Sequence, residues 1–422
     1  MAQSLSDILS TAPLDLTPYE ALYKHFHANP ELSLQEKATS EKITSILSNL
    51  GPYEIHTKIG GYGLVGILRN GPGKTILLRA DMDALPIKEL TGLPYASSVT
   101  MRDGDGTVKP VMHACGHDMH ITCLLATAET LARTQDSWSG TLIVLFQPNE
   151  ERGGGAQAMV DDGLYSKIPM PDYVFGQHVM RMRAGAVGSR PGTIMAAADS
   201  FKITLFGRGG HGSQPHHTVD PVLLAAHVVV RLQGIVSREV DPSDLGVVTV
   251  GSLQAGQTEN VISDRAEIGI DFRTVKLETR QKILSAIQRI VEAECAASGS
   301  PKPPVITPTR RFPPTTNDQN AALQLAASFG DHFGDAFDGD TPRTNVSEDF
   351  STLGTSQGLP CSFWLFGGID PELWDKAQED ENEALMAEIP GNHSALFAPV
   401  IQPTMRTGVD ALCLAALTFL RK

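Results

Sequence analysis

Three short apolar runs narrow the folds open to this chain. Thr75-Ile76-Leu77-Leu78, Thr141 to Phe146 and Tyr173-Val174-Phe175-Gly176 are of strand length and almost wholly apolar or β-branched. Continuous rather than alternating hydrophobicity marks strands buried on both faces, as in a parallel sheet covered by helices. Each run ends in residues with acid–base or ligand chemistry. Asp81 and Asp83 follow the first, Glu150 and Glu151 the second, and His178 the third. Open α/β sheets place their sites outside the carboxyl ends of parallel strands. The pattern therefore predicts a sheet and a polar site together.

The stretch Val111-Met112-His113-Ala114-Cys115-Gly116-His117-Asp118-Met119-His120 sits between the first two of these strands. Cys115 and His117 are separated by one glycine, so a tight loop can turn a thiolate and an imidazole toward one point. These ligand types suit zinc, and imidazole also suits other divalent metals. Met119, Ile121, Leu124, Leu125, Ala128 and Leu131 then mark the apolar face of a helix. With three strand ends nearby, the spacing predicts a metal site at which the loop supplies one side.

Elsewhere the chain alternates between helix and strand signals. A helix is expected from Tyr19 to His27, where His27 and Glu31 read as helix-end and turn residues. A second passes through Ile43, Ile46, Leu47 and Leu50, and Leu64 to Leu68 reads as a strand. Near Gly188 to Gly192 the organisation shifts. Strands at Phe201–Phe206, Val247–Val250 and Ala266–Phe272, helices at Pro221–Arg238 and Leu277–Ala297, and a short piece at Val305-Ile306 give a β-α-β-β-α-β order. That order is a split-βαβ, ferredoxin-like sandwich. The expected layout is a catalytic domain in two parts, 1–192 and 313–422, with an inserted domain at 193–312. The last part carries a helix at Asn320–Phe333, a strand at Ser362–Gly368, an exposed acidic stretch at Asp370–Glu388 and a final helix at Pro403–Leu420.

The chain has 422 residues and a formal charge of -14, from 34 basic and 48 acidic residues. That balance argues against nucleic acid or an anionic membrane surface as partner. Five cysteines in such a length do not make a disulfide framework. There is no charged-then-apolar leader and no uninterrupted apolar run of membrane-spanning length, so a cytoplasmic location is expected.

Taken together, these motifs resemble those of the metal-dependent amidohydrolases that include hippurate hydrolases, N-acyl-amino-acid amidohydrolases and indole-acetyl-amino-acid hydrolases. That group is related to aminoacylases and zinc carboxypeptidases. The resemblance runs from His27-Ala28-Asn29-Pro30-Glu31-Leu32-Ser33 to His393-Ser394-Ala395-Leu396-Phe397. Arg79 to Pro86 and His113 to Asp118 are its most specific segments.

The resemblance implies an α/β zinc-peptidase-like catalytic domain and a ferredoxin-like dimerisation or lid domain. It implies two divalent metal ions, Zn or Mn, held by Cys115, His117, Glu151, His178 and His393, with Cys115 a possible bridge. It also implies Glu150 as general base, a His211 lent to the active site, often by a neighbouring subunit, and Asn260 near the substrate. One departure is local: the family reads Pro-Ala-Glu-Glu where this chain has Pro148-Asn149-Glu150-Glu151. Asn149 is expected to alter the hydrogen bonding around the two glutamates.

Amide hydrolysis needs an activated water, a polarised carbonyl and a proton for the leaving amine. Two metal ions roughly 3.5–4 Å apart can serve the first two needs. Adjacent side chains on an extended segment alternate in direction, so one of Glu150 and Glu151 can ligate while the other faces the water. Asp83 and Asp118 are expected to orient imidazole N–H groups, and Asp83 joins Glu150 and His211 in the expected catalytic set. His113, His120 and Asp81 are expected supports, and His216 and His217 read as solvated. The expected substrate is a small N-acyl amino acid, hippurate-like or aryl-acyl. The alternative is a carboxypeptidase or dipeptidase of the same architecture. A homodimer through the inserted domain is the expected assembly.

Overall fold

The computed structural model describes residues 5–11, 13–379 and 383–422, in two compact units. One comprises Met1–Ile194, Thr315–Pro342 and Asp349–Lys422; the other comprises Met195–Pro314 and Arg343–Glu348.

The first unit is built on an eight-stranded sheet. Its order is Glu54–Ile59, Gly63–Asn70, Gly140–Gln147, Thr75–Asp81, Tyr173–Arg183, Cys361–Ile369, Val187–Gly188 and Phe337–Asp338. Thr75–Asp81 runs parallel to both Gly140–Gln147 and Tyr173–Arg183, which in turn runs parallel to Cys361–Ile369. Antiparallel pairings lie toward the two sides of this parallel centre. All of Cys361–Ile369 is buried, as is nearly all of Gly140–Gln147. That is the burial expected of strands covered on both faces. Helices His117–Arg133 and Thr404–Leu420 pack together, and both also pack against the sheet. Met119, Leu124, Leu131, Val144, Phe366 and Leu412 share the resulting core. Each such large side chain contributes about 1.5–3 kcal/mol of burial.

The third strand is longer than its apolar run. Thr75–Asp81 pairs with it only as far as Arg79 opposite Gly176, whereas Cys361–Ile369 follows it on through Leu365 opposite His178. His178 therefore lies within a strand, at the point where one neighbour has ended. Among its described residues, the acidic stretch after Ile369 is exposed or half-buried apart from Ala377, as expected. It forms helices Pro371–Glu379 and Glu383–Glu388, and Ala377 and Ile389 bury against Phe397. Residues 380–382 of that stretch lie outside the described residues.

The second unit has a four-stranded antiparallel sheet in the order Gly246–Ala255, Arg265–Thr274, Ala197–Phe206 and Val305–Phe312. Helices Pro221–Arg238 and Leu277–Ala297 complete the β-α-β-β-α-β order. Arg265–Thr274 alternates strictly between buried and less buried residues, so one sheet face meets the helices. Asp220 caps the first helix by accepting the N–H groups of Val222 and Leu223, with Pro221 in the first turn. By length and mean hydropathy alone this 18-residue helix could cross a membrane. Here its Leu224, Val228, Leu232 and Ile235 face lies in the unit's core. Residues 343–348 group with this unit through Ala196 N–H to Val346 O at 3.1 Å and Arg273 Nη1 to Ser347 Oγ at 2.7 Å.

Candidate metal centre

Local backbone geometry turns the Cys-Gly-His loop. Gly116 has φ 84°, and a Cβ there would meet Val179 Cγ1 at 2.4 Å. Only glycine fits that left-handed, crowded position. It directly precedes the helix His117–Arg133, so His117 is the first helical residue.

Two imidazoles are then fixed in the same way. His117 Nδ1 lies 2.9 Å from the backbone carbonyl of Asp83, and His178 Nδ1 lies 2.7 Å from that of Val179. A carbonyl only accepts, so both rings donate from Nδ1 and leave Nε2 as the atom turned toward the site. His117 Nε2 is buried without a hydrogen bond, and so is Glu151 Oε1. These two atoms are 3.9 Å apart. His178 Nε2 is 3.4 Å from Cys115 Sγ, and His393 Nε2 is 3.4 Å from Glu151 Oε1. Ligand atoms of Cys115, Glu151 and His393 lie within 4.8 Å of one another, as do those of His117, Glu150 and Glu151. The structure thus brings together Cys115, His117, Glu151, His178 and His393, with Glu150 beside them. The buried His117 Nε2 and Glu151 Oε1 face one another with no hydrogen bond between them, which suits a bound cation, and the surrounding S, N and O donor set suits a divalent one.

The electrostatics agree. Burial pushes the His178 pKa well below the usual range, so it stays neutral. Burial also opposes charge on His117, but the Asp81 carboxylate and the Asp83 hydrogen bond outweigh it and lift its pKa to about 10. That much negative potential around a ligand-type nitrogen favours a cation of either kind, proton or metal.

Behind the rings lies a buried polar layer. His120 Nδ1 donates to Asp81 Oδ1 at 2.6 Å, while its Nε2 accepts the Val179 N–H at 2.8 Å. Both nitrogens are occupied, so His120 orients the strand rather than offering a ligand atom. Arg79 bonds Asp81 at 2.6 Å and Gln147 at 2.9 Å. Burial opposes the Asp81 charge, yet His117, His120 and Arg79 hold its pKa well below the carboxylate range.

The glutamate turn hangs from buried carboxyl groups. Asp83 Oδ1 accepts the Glu150 N–H at 3.1 Å, and Oδ2 accepts the Glu151 N–H at 3.1 Å and the Ser33 hydroxyl at 2.6 Å. The imidazole partner at Asp83 is its backbone carbonyl; the nearer carboxylate oxygen is 3.4 Å from His117 Nδ1. Asn149 has φ 56°, a left-handed geometry that Asn tolerates better than most residues. Asp118 holds an imidazole, that of His27, at 2.6 Å.

Sequence reasoning left several residues aside. His27, read as a helix end, is wholly buried between Asp118 and Glu89, which is 3.0 Å from its Nε2. Asn392 donates to Cys115 O at 3.1 Å and Val179 O at 3.0 Å, tying the His393 loop to the other ligand segments. The only sequence signal for Asn392 was its place beside His393.

His211 and Asn260 lie in the second unit, on neighbouring segments. His211 pairs with Val261, and the Gly212 N–H donates to Asn260 O at 2.8 Å. Ser213 donates to His211 Nδ1 from its backbone N–H at 3.1 Å and its hydroxyl at 2.7 Å, which places the His211 proton on Nε2. His216 and His217 are exposed on a short 3-10 turn.

The sequence profile described as peptidase family M20/M25/M40 matches residues 77–397. Hippurate hydrolase of Campylobacter jejuni subsp. jejuni is 42% identical over 282 residues, covering 66% of this chain and 70% of that protein. IAA-amino acid hydrolase ILR1-like 4 of Arabidopsis thaliana is 34% identical over 347 residues, or 82% of this chain and 76% of that protein. The crystal structure of the Bacillus subtilis YXEP protein, a dinuclear metal binding peptidase, superposes with a TM-score of 0.71 at 27% identity, covering 96% of this chain and 98% of that one. With the ligand-type residues converging at the parallel strand ends and the profile spanning most of its length, the chain belongs to peptidase family M20/M25/M40.

Proposed function

We propose that the protein hydrolyses the amide bond of N-acyl amino acids, releasing a carboxylic acid and a free amino acid. The single observation that carries the reading is the convergence of the unpartnered His117 Nε2 and Glu151 Oε1 beside Glu150, with His178 Nε2 turned to Cys115 Sγ at 3.4 Å. Cys115, His117, Glu151, His178 and His393 would hold two divalent ions. Thiolate ligation favours zinc, while the nitrogen and oxygen ligands also admit manganese. When bound, the ions supply Lewis-acid polarisation of the carbonyl and a lowered pKa for the attacking water.

The chain's own groups supply the rest. Glu150 takes the water's proton and passes it to the leaving amine, a role worth about 10²–10⁴-fold. Asp83 keeps Glu150 and Glu151 in register by holding both amides. His211 would stabilise the developing oxyanion by a hydrogen bond from its Nε2–H, and Asn260 would offer a polar group to the substrate. Exposed Val222, Leu223 and Val230 on the Pro221–Arg238 helix, together with the edge strand Gly246–Ala255, support a homodimer formed through the second unit. All five cysteines lie outside disulfides, in keeping with a cytoplasmic location.

The test is a substrate panel run after metal reconstitution. N-Acyl amino acids, hippurate first, should turn over well above free-amine dipeptides. The reverse preference would assign a peptidase of the same architecture instead.

A further inference from the structure

Glu36 is fully buried in the loop between helices Thr17–Ala28 and Lys37–Leu50. Its Oε1 accepts the Asn149 N–H at 2.8 Å and the Leu34 N–H at 2.9 Å. Its Oε2 is buried and makes no hydrogen bond. With the two Asp83 bonds, three consecutive amides, those of Asn149, Glu150 and Glu151, each end on a buried carboxyl oxygen. Asn149 is the left-handed residue at which the chain turns after Pro148. Such a turn still costs a non-glycine residue backbone strain, which hydrogen bonds to its amides can offset.

We propose that Glu36 is a positioning residue for the reaction: through the Asn149 amide it sets the backbone from which Glu150 reaches the water and Glu151 reaches the metal. The inference rests on the roles given above to those two glutamates. The environment supports a neutral carboxyl group acting by position and not by charge. Burial, then the nearby Asp83 charge, pushes the Glu36 pKa up to about 8.

The experiment compares Glu36→Gln, Glu36→Asp and Glu36→Leu in the metal-loaded full-length protein. Gln keeps an acceptor at the same reach. Asp withdraws it by one carbon, and Leu removes it. Glu36→Gln should keep kcat within about threefold. Glu36→Leu should lower kcat by about 10²-fold, the cost of a reacting group misplaced by about 1 Å, with KM within about threefold. Glu36→Asp should fall between them, and it carries the comparison if Glu36→Leu does not fold. Hydrogen exchange of the 147–152 segment gives a readout without turnover. Protection should match wild type in Glu36→Gln and drop in Glu36→Asp and Glu36→Leu.

Wild-type kcat and 147–152 protection in Glu36→Leu, or in Glu36→Asp if Leu does not fold, would overturn the proposal. So would a Gln variant as impaired as Leu, because charge would then be the cause. Absence of wild-type turnover on any amide would instead refute the functional reading, and the exchange measurement would still decide the role of Glu36.

Discussion

Replacing Asp83 by Asn perturbs the hinge of the site without changing its shape. In the wild type, Oδ2 serves the Ser33 hydroxyl and the Glu151 amide, while Oδ1 serves the Glu150 amide. Asn can keep its oxygen toward Ser33 and Glu151, which places its NH₂ against the Glu150 N–H. One bond to a charged acceptor is then lost, a buried donor is left unpaired, and the surviving bonds weaken to neutral ones. The sum is about 2–4 kcal/mol, within the ~5–15 kcal/mol that holds a typical protein folded. The variant should fold, with a lower urea midpoint. Release of the Glu150 backbone should reduce kcat by about 10²-fold. The His117 ring is tied to the Asp83 backbone carbonyl, which the substitution leaves in place. Metal affinity should therefore fall less than about tenfold, the low end of the ~10–100-fold loss seen when an orienting partner is removed. Urea titration, equilibrium dialysis of the metal and steady-state kinetics on one preparation give all three numbers. A wild-type kcat and midpoint would refute the reasoning, and so would a loss of metal affinity larger than the loss of kcat.

Further outcomes are expected. Glu150→Gln should retain full metal content and lose about 10²–10⁴-fold in kcat; near-normal turnover in the metal-replete variant would remove Glu150 from the base role. Burial opposes charge on His27, but the Asp118 and Glu89 carboxylates outweigh it and raise its pKa to about 10. The raised value means that protonated His27 stabilises the fold fully below pH ~6.5 and that this contribution disappears as pH rises through about 10. His27→Gln should accordingly be less stable than wild type near pH 6 and converge with it toward pH 10; a pH-independent gap in the denaturation midpoint would contradict this. Mixing inactive His211→Ala with inactive Glu150→Gln should restore activity if His211 acts across a dimer, and no recovery after verified subunit exchange would place it in cis.

What could be read from the sequence was local. Continuous apolar runs gave the parallel centre of the sheet, and the residues just past them gave Asp83, Glu150 and Glu151 at adjoining strand ends. The Cys115-Gly116-His117 spacing needed only a tight turn, and Gly116 supplies it. The ferredoxin-like order was legible because Arg265–Thr274 alternates and the helices carry apolar stripes. What stayed hidden depends on pairings across long separations. His27 meets Asp118 across 91 residues and Glu89 across 62. Glu36 reaches Asn149 across 113. Such residues carry no periodic signal, and their neighbours in sequence are ordinary loop and helix-end residues. The extension of the third strand through His178 was hidden for a related reason. Its later pairing comes from Cys361–Ile369, nearly two hundred residues further along the chain.

The central claim is metal-dependent cleavage of an N-acyl amino acid, and one titration addresses it directly. Chelator-stripped protein is titrated with Zn²⁺ or Mn²⁺ while glycine release from hippurate and bound metal are followed together. The account predicts that release is absent without metal, rises with occupancy up to two ions per chain, and falls to background in Glu150→Gln at the same occupancy. Saturation of the site without any glycine release, or release that persists in the stripped protein, would contradict it.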